Sequence, residues 1–159
     1  MTYSLYLFDF DYTLVNSEEG ILKCFHMTPG THFFPDTLAV LRTLRDRGAH
    51  IGIISTKTRS RIEEKFTATG TTDLIDRIIG VEDVQTPKPS PEGIEAALRA
   101  FGATKSETLY TGDSIVDAAA AQNDSVPFAA VLTGTTPAAA FAPYPHVGIA
   151  TNLSGILEL

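Results

Sequence analysis

Apolar and polar positions along this chain switch between a period of two and a period near 3.6, and the switches mark its elements. Tyr3-Ser4-Leu5-Tyr6-Leu7-Phe8 is an aromatic and apolar run that predicts a strand ended by Asp9. Asp36 to Arg47 places Leu38, Leu41 and Leu44 at helical spacing, with Gly48 as the stop. Ile51-Gly52-Ile53-Ile54 is a short buried strand that ends in Ser55-Thr56. Arg59 to Ala68 is a polar helix with Ile62 and Phe66 on one face, and Leu74 to Val84 holds a turn and a strand around Arg77-Ile78-Ile79-Gly80. Ser90-Pro91 opens a helix that Gly102 closes. Thr108-Leu109-Tyr110-Thr111 is a strand running into Gly112-Asp113, followed by an alanine-rich helix from Ile115 to Ala121 and a strand from Phe128 to Leu132. Thr135 to Pro145 reads as a loop with a short helix. His146 to Ala150 and Gly155 to Leu159 read as a last strand and helix.

Strands separated by helices of this length predict an α/β fold, a Rossmann-like doubly wound, mainly parallel sheet with helices on both faces. Such sheets bind ligands at the carboxyl ends of their strands. Asp9, Ser55 and Asp113 each fall at such an end.

Composition narrows the classes. A chain of 159 residues fits one domain with a sizeable core. A net charge of −7 disfavours nucleic acid or an anionic membrane as the main partner. The densest basic stretch, Arg42 to Arg47, has the spacing of a solvated helix face. One cysteine, Cys24, allows no internal disulfide, no apolar run has membrane-spanning length, and Met1 leads directly into a strand. The expectation is a soluble cytoplasmic protein.

The candidate chemistry begins with Asp9 and Asp11 at the end of the first strand. Two carboxylates in one cleft repel, and a bound cation is a common remedy. A carboxylate there can also act as a nucleophile toward phosphorus. Alone, the pair fits a plain turn equally well. Ser55-Thr56 offers hydroxyls and backbone N–H groups suited to phosphate oxygens, and Lys88 is a cation on a loop stiffened by Pro87 and Pro89. Gly112 lets the backbone turn tightly before Asp113, and Asp117 projects from the first turn of a helix begun near Ser114. Each of these has a plain reading as a cap, a surface charge or a helix N-terminal charge. All of them in order at successive strand ends do not.

The ordered set resembles the haloacid dehalogenase superfamily of aspartate-nucleophile phosphotransferases. Its pattern is met by Asp9-Phe10-Asp11-Tyr12-Thr13, Ser55, Lys88, and Gly112-Asp113-Ser114-Ile115-Val116-Asp117, with Tyr12 where most relatives carry glycine. Ile54-Ser55-Thr56-Lys57, Pro87 to Gly93 and Tyr110 to Ser114 resemble the phosphoglycolate-phosphatase-like branch. The resemblance implies that Asp9 attacks phosphorus while Asp11 protonates the leaving oxygen and later activates water. It implies Mg²⁺ held by Asp9, the Asp11 carbonyl and Asp113, with Asp117 joining the metal site by orienting bound water or neighbouring groups. Ser55, Thr56 and Lys88 would bind the phosphate, Lys88 also offsetting transition-state charge.

Only 46 positions separate Asp9 from Ser55. In the branch resembled, a helical cap of several dozen residues lies between these motifs. Residues 1–159 are therefore expected to form a single core domain, with about 15–35 a vestigial cap. Ser17 to Phe25 would start a first cap helix, Met27 to Asp36 would return to the core, and the junction near His26 and Met27 would mark the loss. A neighbouring subunit can replace a cap, so a homo-oligomer held by Ile21, Leu22 and Phe25 is one expectation. His26, His32, His50 and His146 lack metal-ligand spacing, and Gly134 with Thr133, Thr135 and Thr136 reads as a plain turn rather than the cleft edge.

The resulting expectation is a Mg²⁺-dependent phosphohydrolase acting on a small phosphorylated metabolite. The alternative is a cap-less core that binds Mg²⁺ and phosphate with little or no turnover. A dehalogenase is disfavoured by Asp11 and the acidic metal site, and a sugar-phosphate mutase by the missing cap.

Overall fold

The computed structural model describes residues 3–17 and 32–159. Its strands are β1 (Leu5–Phe8), β2 (Val15–Asn16), β3 (His32–Phe33), β4 (His50–Ile54), β5 (Arg77–Ile79), β6 (Thr108–Gly112), β7 (Phe128–Val131) and β8 (Gly148–Ala150). Its α-helices are α1 (Thr37–Asp46), α2 (Arg59–Ala68), α3 (Glu92–Phe101) and α4 (Ile115–Asp124).

Six strands form one parallel sheet in the order β5-β4-β1-β6-β7-β8. Because side chains alternate across a strand, β1 feeds two cores. Tyr6 and Phe8 pack with Val40, Leu41 and Leu44 of α1 and with Ile62 and Phe66 of α2. Leu5 and Leu7 pack with Ile94, Ala97 and Leu98 of α3 and with the small Ala118, Ala120 and Ala121 of α4. Burying Leu41, Leu44, Ile62 and Phe66 contributes roughly 1.5–3 kcal/mol apiece, which fixes α1 and α2 on their face of the sheet.

The chain runs outward from β1 through β4 to β5, then crosses back to place β6 on the other side of β1. This reversal opens a crevice at the carboxyl ends of β4, β1 and β6, where an open α/β sheet binds its ligand. Asp9, Ser55 and Asp113 are the residues that follow those three strands.

Three elements differ from the sequence expectation. Helix α4 runs to Asp124 because the chain leaves helical geometry only at Ser125, whose φ is 56°. The terminal helix is a 3-10 helix over Leu153–Glu158 and starts two residues before the expected Gly155. β2 and β3 pair antiparallel, Val15 opposite Phe33 and Asn16 opposite His32, as a two-residue ladder too short to leave a periodic signature.

Ser17, expected to open a cap helix, is buried and lies outside any helix. The rest of that expected helix, together with Ile21, Leu22, Cys24, Phe25, His26 and Met27, lies outside the described residues. Among the described residues, no helix is long and apolar enough to cross a membrane.

Candidate active site

Asp9 follows β1 directly, and its backbone N–H donates to the Thr111 carbonyl at 2.9 Å, so the neighbouring strand fixes where its side chain starts. Lys88 Nζ donates to Asp9 Oδ1 and to Asp117 Oδ1, both at 2.6 Å, and to the Tyr110 hydroxyl at 3.2 Å. Those contacts match the three protons of an ammonium. The Lys88-Pro89 peptide is cis. Tyr110 donates in turn to Asp117 Oδ1 at 2.8 Å.

Asp117 also closes the start of α4. Its Oδ2 accepts from the Ser114 backbone at 3.2 Å and from Ser114 Oγ at 2.6 Å, while the Asp117 backbone donates to Ser114 Oγ at 3.3 Å. This is a capping box, so one side chain both ends a helix and anchors the cleft lysine. Gly112 permits it by lacking a side chain, since a Cβ there would stand 2.4 Å from Asp117 Cβ. Close approach, rather than a tight turn, is the reason for that glycine.

Asp113 faces Asp9 across Thr13, whose hydroxyl lies 3.3 Å from Asp9 Oδ2 and 3.4 Å from Asp113 Oδ1. Gly134 covers the other side of Asp113, where a Cβ would fall 1.9 Å from Oδ2. The expectation of a plain turn is therefore corrected: Gly134 forms the edge of the cleft. Thr133 Oγ1 donates to the Tyr12 carbonyl and ties this loop to the motif that follows β1.

Asp11 points elsewhere. Lys57 Nζ reaches its two oxygens at 2.7 and 2.8 Å, and Ser17 Oγ donates to Oδ1. Ser55 is buried after β4, and its Oγ accepts from the Lys57 backbone at 3.1 Å. Thr56 is exposed, and it lines a shallow recess with Ser55, Pro87 and Lys88.

Asp9, Asp113 and Asp117 each place a carboxylate oxygen within 4.8 Å of the others, and all three are buried. Burial raises Asp9 to about 7, against the opposing charge of Lys88 and with the charges of Asp117 and Asp113 adding to the rise. Burial likewise raises Asp113 to about 6, with Asp117 adding to it. For Lys88, burial alone would lower the pKa, but Asp9, Tyr110 and Asp117 outweigh it and hold the ammonium charged. When all three carboxylates are ionised, the one ammonium leaves a surplus of two negative charges. The donors are all oxygen, so the group suits a hard dication such as Mg²⁺ rather than a thiolate-seeking metal. Asp9 and Asp113 have the least committed oxygens. Those of Asp117 already receive Lys88, Tyr110 and Ser114, and the Asp11 side chain is turned to Lys57.

The structure thus gathers Asp9, Ser55, Lys88, Asp113 and Asp117 into one cleft, with Asp11 and Thr56 at its mouth. Sequence reasoning missed the roles of Lys57, Ser17 and Tyr110 and set Gly134 aside as a turn, because these roles arise from contacts between elements. Lys57 carried a signal, as a cation two residues beyond the serine expected to bind phosphate.

A family model for haloacid dehalogenase-like hydrolases matches residues 26–131. Curated relatives include the pyrophosphatase PpaX of Halalkalibacterium halodurans, 34% identical over 91 residues, which are 57% of this chain and 42% of that protein. PpaX of Oceanobacillus iheyensis is 35% identical over 98 residues, 62% of this chain and 46% of its own length. The chain thus spans about half the length of the curated relatives it matches. A solved structure assigned to the haloacid dehalogenase-like hydrolases, from Bacteroides fragilis, superposes with a TM-score of 0.92 at 34% identity, covering 98% of this chain and 100% of that one. A predicted phosphoglycolate phosphatase from Haemophilus somnus superposes with a TM-score of 0.86 at 17% identity, covering 99% and 98%, and shares the fold.

Proposed function

The chain belongs to the haloacid dehalogenase-like hydrolases, and we propose that it is a Mg²⁺-dependent phosphohydrolase that cleaves phosphate monoesters of small metabolites through a phospho-Asp9 intermediate. The observation that carries the proposal is the buried Asp9 carboxylate, held at 2.6 Å by Lys88 and faced by Asp113 at the carboxyl end of β1.

Asp9 forms the new bond to phosphorus as the bond to the leaving oxygen breaks. Asp11, two residues on at the cleft mouth, gives the leaving oxygen its proton and then draws one from the water that releases phosphate. Lys88 holds Asp9 in place and offsets the charge that builds on the phosphoryl oxygens. Ser55 and Thr56 hold those oxygens from the β4 side. Asp117 and Tyr110 position Lys88. Mg²⁺, held by Asp9, Asp113 and the Asp11 main-chain carbonyl, would screen the phosphate from the carboxylate that attacks it.

A second reading rests on the chain between β2 and β3. Only 15 residues join Asn16 to His32, too few for a helical cap of several dozen residues. Without a cap, water is less well excluded from the chemistry, and the core would bind Mg²⁺ and phosphate with little turnover. Hydrolysis of 4-nitrophenyl phosphate with Mg²⁺ separates the readings. The first expects turnover that Asp9→Asn abolishes, equal rates in the two proteins would sink it, and robust turnover removes the second.

A further inference from the structure

Lys88 holds its ammonium between Asp9 and Asp117 from a loop that has little with which to brace itself. Pro87 and Pro89 flank it and bring no backbone N–H. Other elements supply the brace. Before Lys88, the Gln85 backbone donates to Glu92 Oε1 at 2.8 Å and the Thr86 backbone to Glu92 Oε2 at 2.9 Å. These two bonds favour the charged carboxylate and hold Glu92 below the usual carboxylate range. After Lys88, Asn123 Nδ2 donates to the Pro89 carbonyl at 3.0 Å. Ser90 closes the turn between them by donating to the Pro87 carbonyl at 3.1 Å, and its Oγ accepts from the Glu92 backbone at 3.3 Å. Asn123 lies in the last turn of α4, whose first turn carries Asp117. One helix therefore meets Lys88 at its ammonium and again at the backbone beside it.

We propose that Glu92 is a positioning residue that acts through Lys88, bracing one limb of its loop while Asn123 braces the other. The inference rests on the reading of Lys88 given above. The two carboxylates fix the ammonium from the front, and the braced backbone fixes the stem of the side chain from behind. Glu92 also opens α3, where an acidic side chain favours the helix dipole. That role alone would change stability without regard to Lys88. A brace predicts more, because a misplaced charge near the reacting group costs rate out of proportion to the displacement. Alanine at position 92 removes both acceptors, whereas glutamine keeps one carbonyl oxygen for two donors.

Two measurements test this. In the metal-free protein, Lys88→Met should lower the melting temperature by at least about 3 °C less when Glu92→Ala is already present, since the Lys88 contacts are then loosened. In hydrolysis of 4-nitrophenyl phosphate with Mg²⁺, Glu92→Ala should lower kcat about tenfold and change KM less than about threefold, because Lys88 matters most where charge builds in the transition state. Glu92→Gln should recover part of that loss, and it carries both tests if the alanine variant does not fold. In the Lys88→Met background the same substitutions should change kcat less than about twofold. Equal melting losses in the two backgrounds, or an undiminished kcat in Glu92→Ala, overturn the inference. Turnover by Asp9→Asn is read separately. Melting coupling in a protein whose hydrolysis ignores Asp9 would retain the brace and discard the phospho-Asp9 reading; equal melting losses beside Asp9-dependent turnover would do the reverse.

Discussion

Lys88 Nζ stands 2.6 Å from Asp9 Oδ1, with both side chains less than a tenth exposed. A buried pair of this kind is costly to break, because the surviving charge stays in a poorly solvated place. Asp117 shares the same ammonium at 2.6 Å, so removal of Lys88 strands two carboxylates. Lys88→Met should therefore destabilise the metal-free protein by roughly 3–5 kcal/mol at neutral pH and lower kcat at least about a hundredfold. Adding Asp117→Asn should recover part of the stability and none of the rate. Chemical denaturation of the single and double variants beside ester hydrolysis checks both halves; full recovery of rate in the double variant would contradict the placement of Lys88 at the phosphoryl group.

The raised carboxylates set a pH dependence with a definite sign. Asp9 at about 7 and Asp113 at about 6 bind protons more tightly in the folded chain than in the unfolded one, where an ordinary aspartate titrates near 4. Their contribution is favourable below about pH 4 and is lost as pH rises through 6 and 7. Melting temperature of the metal-free protein should accordingly fall between pH 5 and pH 8 from these two groups. Mg²⁺ should reverse the fall, with an affinity that weakens as pH drops below 7 because protons compete for the same oxygens. Asp113→Asn should raise the metal-free melting point at pH 8 by roughly 3–6 °C and remove most of the Mg²⁺ response. Melting curves across pH, with chelator and with excess Mg²⁺, decide the matter, and a melting point in chelator that rises steadily from pH 5 to pH 8 would contradict it.

Gly134 gives a steric test of the same site. A methyl group there would fall 1.9 Å from Asp113 Oδ2, so either the carboxylate swings away or the Thr133–Gly134 loop lifts. Gly134→Ala should weaken Mg²⁺ binding at least about tenfold, since a displacement of this size removes one of the two least committed ligands. Titration calorimetry with Mg²⁺ measures it. An unchanged affinity would show that Asp113 is not a ligand or that the loop yields freely.

How much of this was legible in one dimension depends on what each residue's role requires. Asp9, Ser55 and Asp113 needed only the knowledge that a strand ends where they stand, and hydrophobic runs carry that information. Lys88 and Asp117 needed order along the chain as well. Tyr110 looked like one more apolar residue of β6, and its hydroxyl matters only because the capping box of α4 brings Asp117 beneath it. Lys57 and Ser17 meet Asp11 from opposite directions along the chain, a juxtaposition no periodicity encodes. Gly112 was legible as a glycine that mattered, but for a turn rather than for the carboxylate pressed against it. The β2–β3 ladder escaped because two residues per strand leave no pattern to read.

Tyr12 carries the last prediction. Its φ is 59°, in the left-handed region that a side chain enters at a cost of roughly 1–2 kcal/mol. Replacing it with glycine removes that cost but adds about 0.4–1 kcal/mol of unfolded-state freedom, and the half-buried ring loses its packing. The opposing effects nearly cancel, so Tyr12→Gly should change stability by less than about 0.5 kcal/mol. Tyr12→Val should differ sharply, because a β-branched side chain tolerates a positive φ poorly and should cost more than about 1 kcal/mol beyond the glycine variant. Urea denaturation of the pair measures the difference directly. Equal stabilities would mean that the backbone at position 12 relaxes out of the left-handed region, and the Tyr12 carbonyl would then lose its bond from Thr133 and with it the tie that holds the Gly134 loop over Asp113.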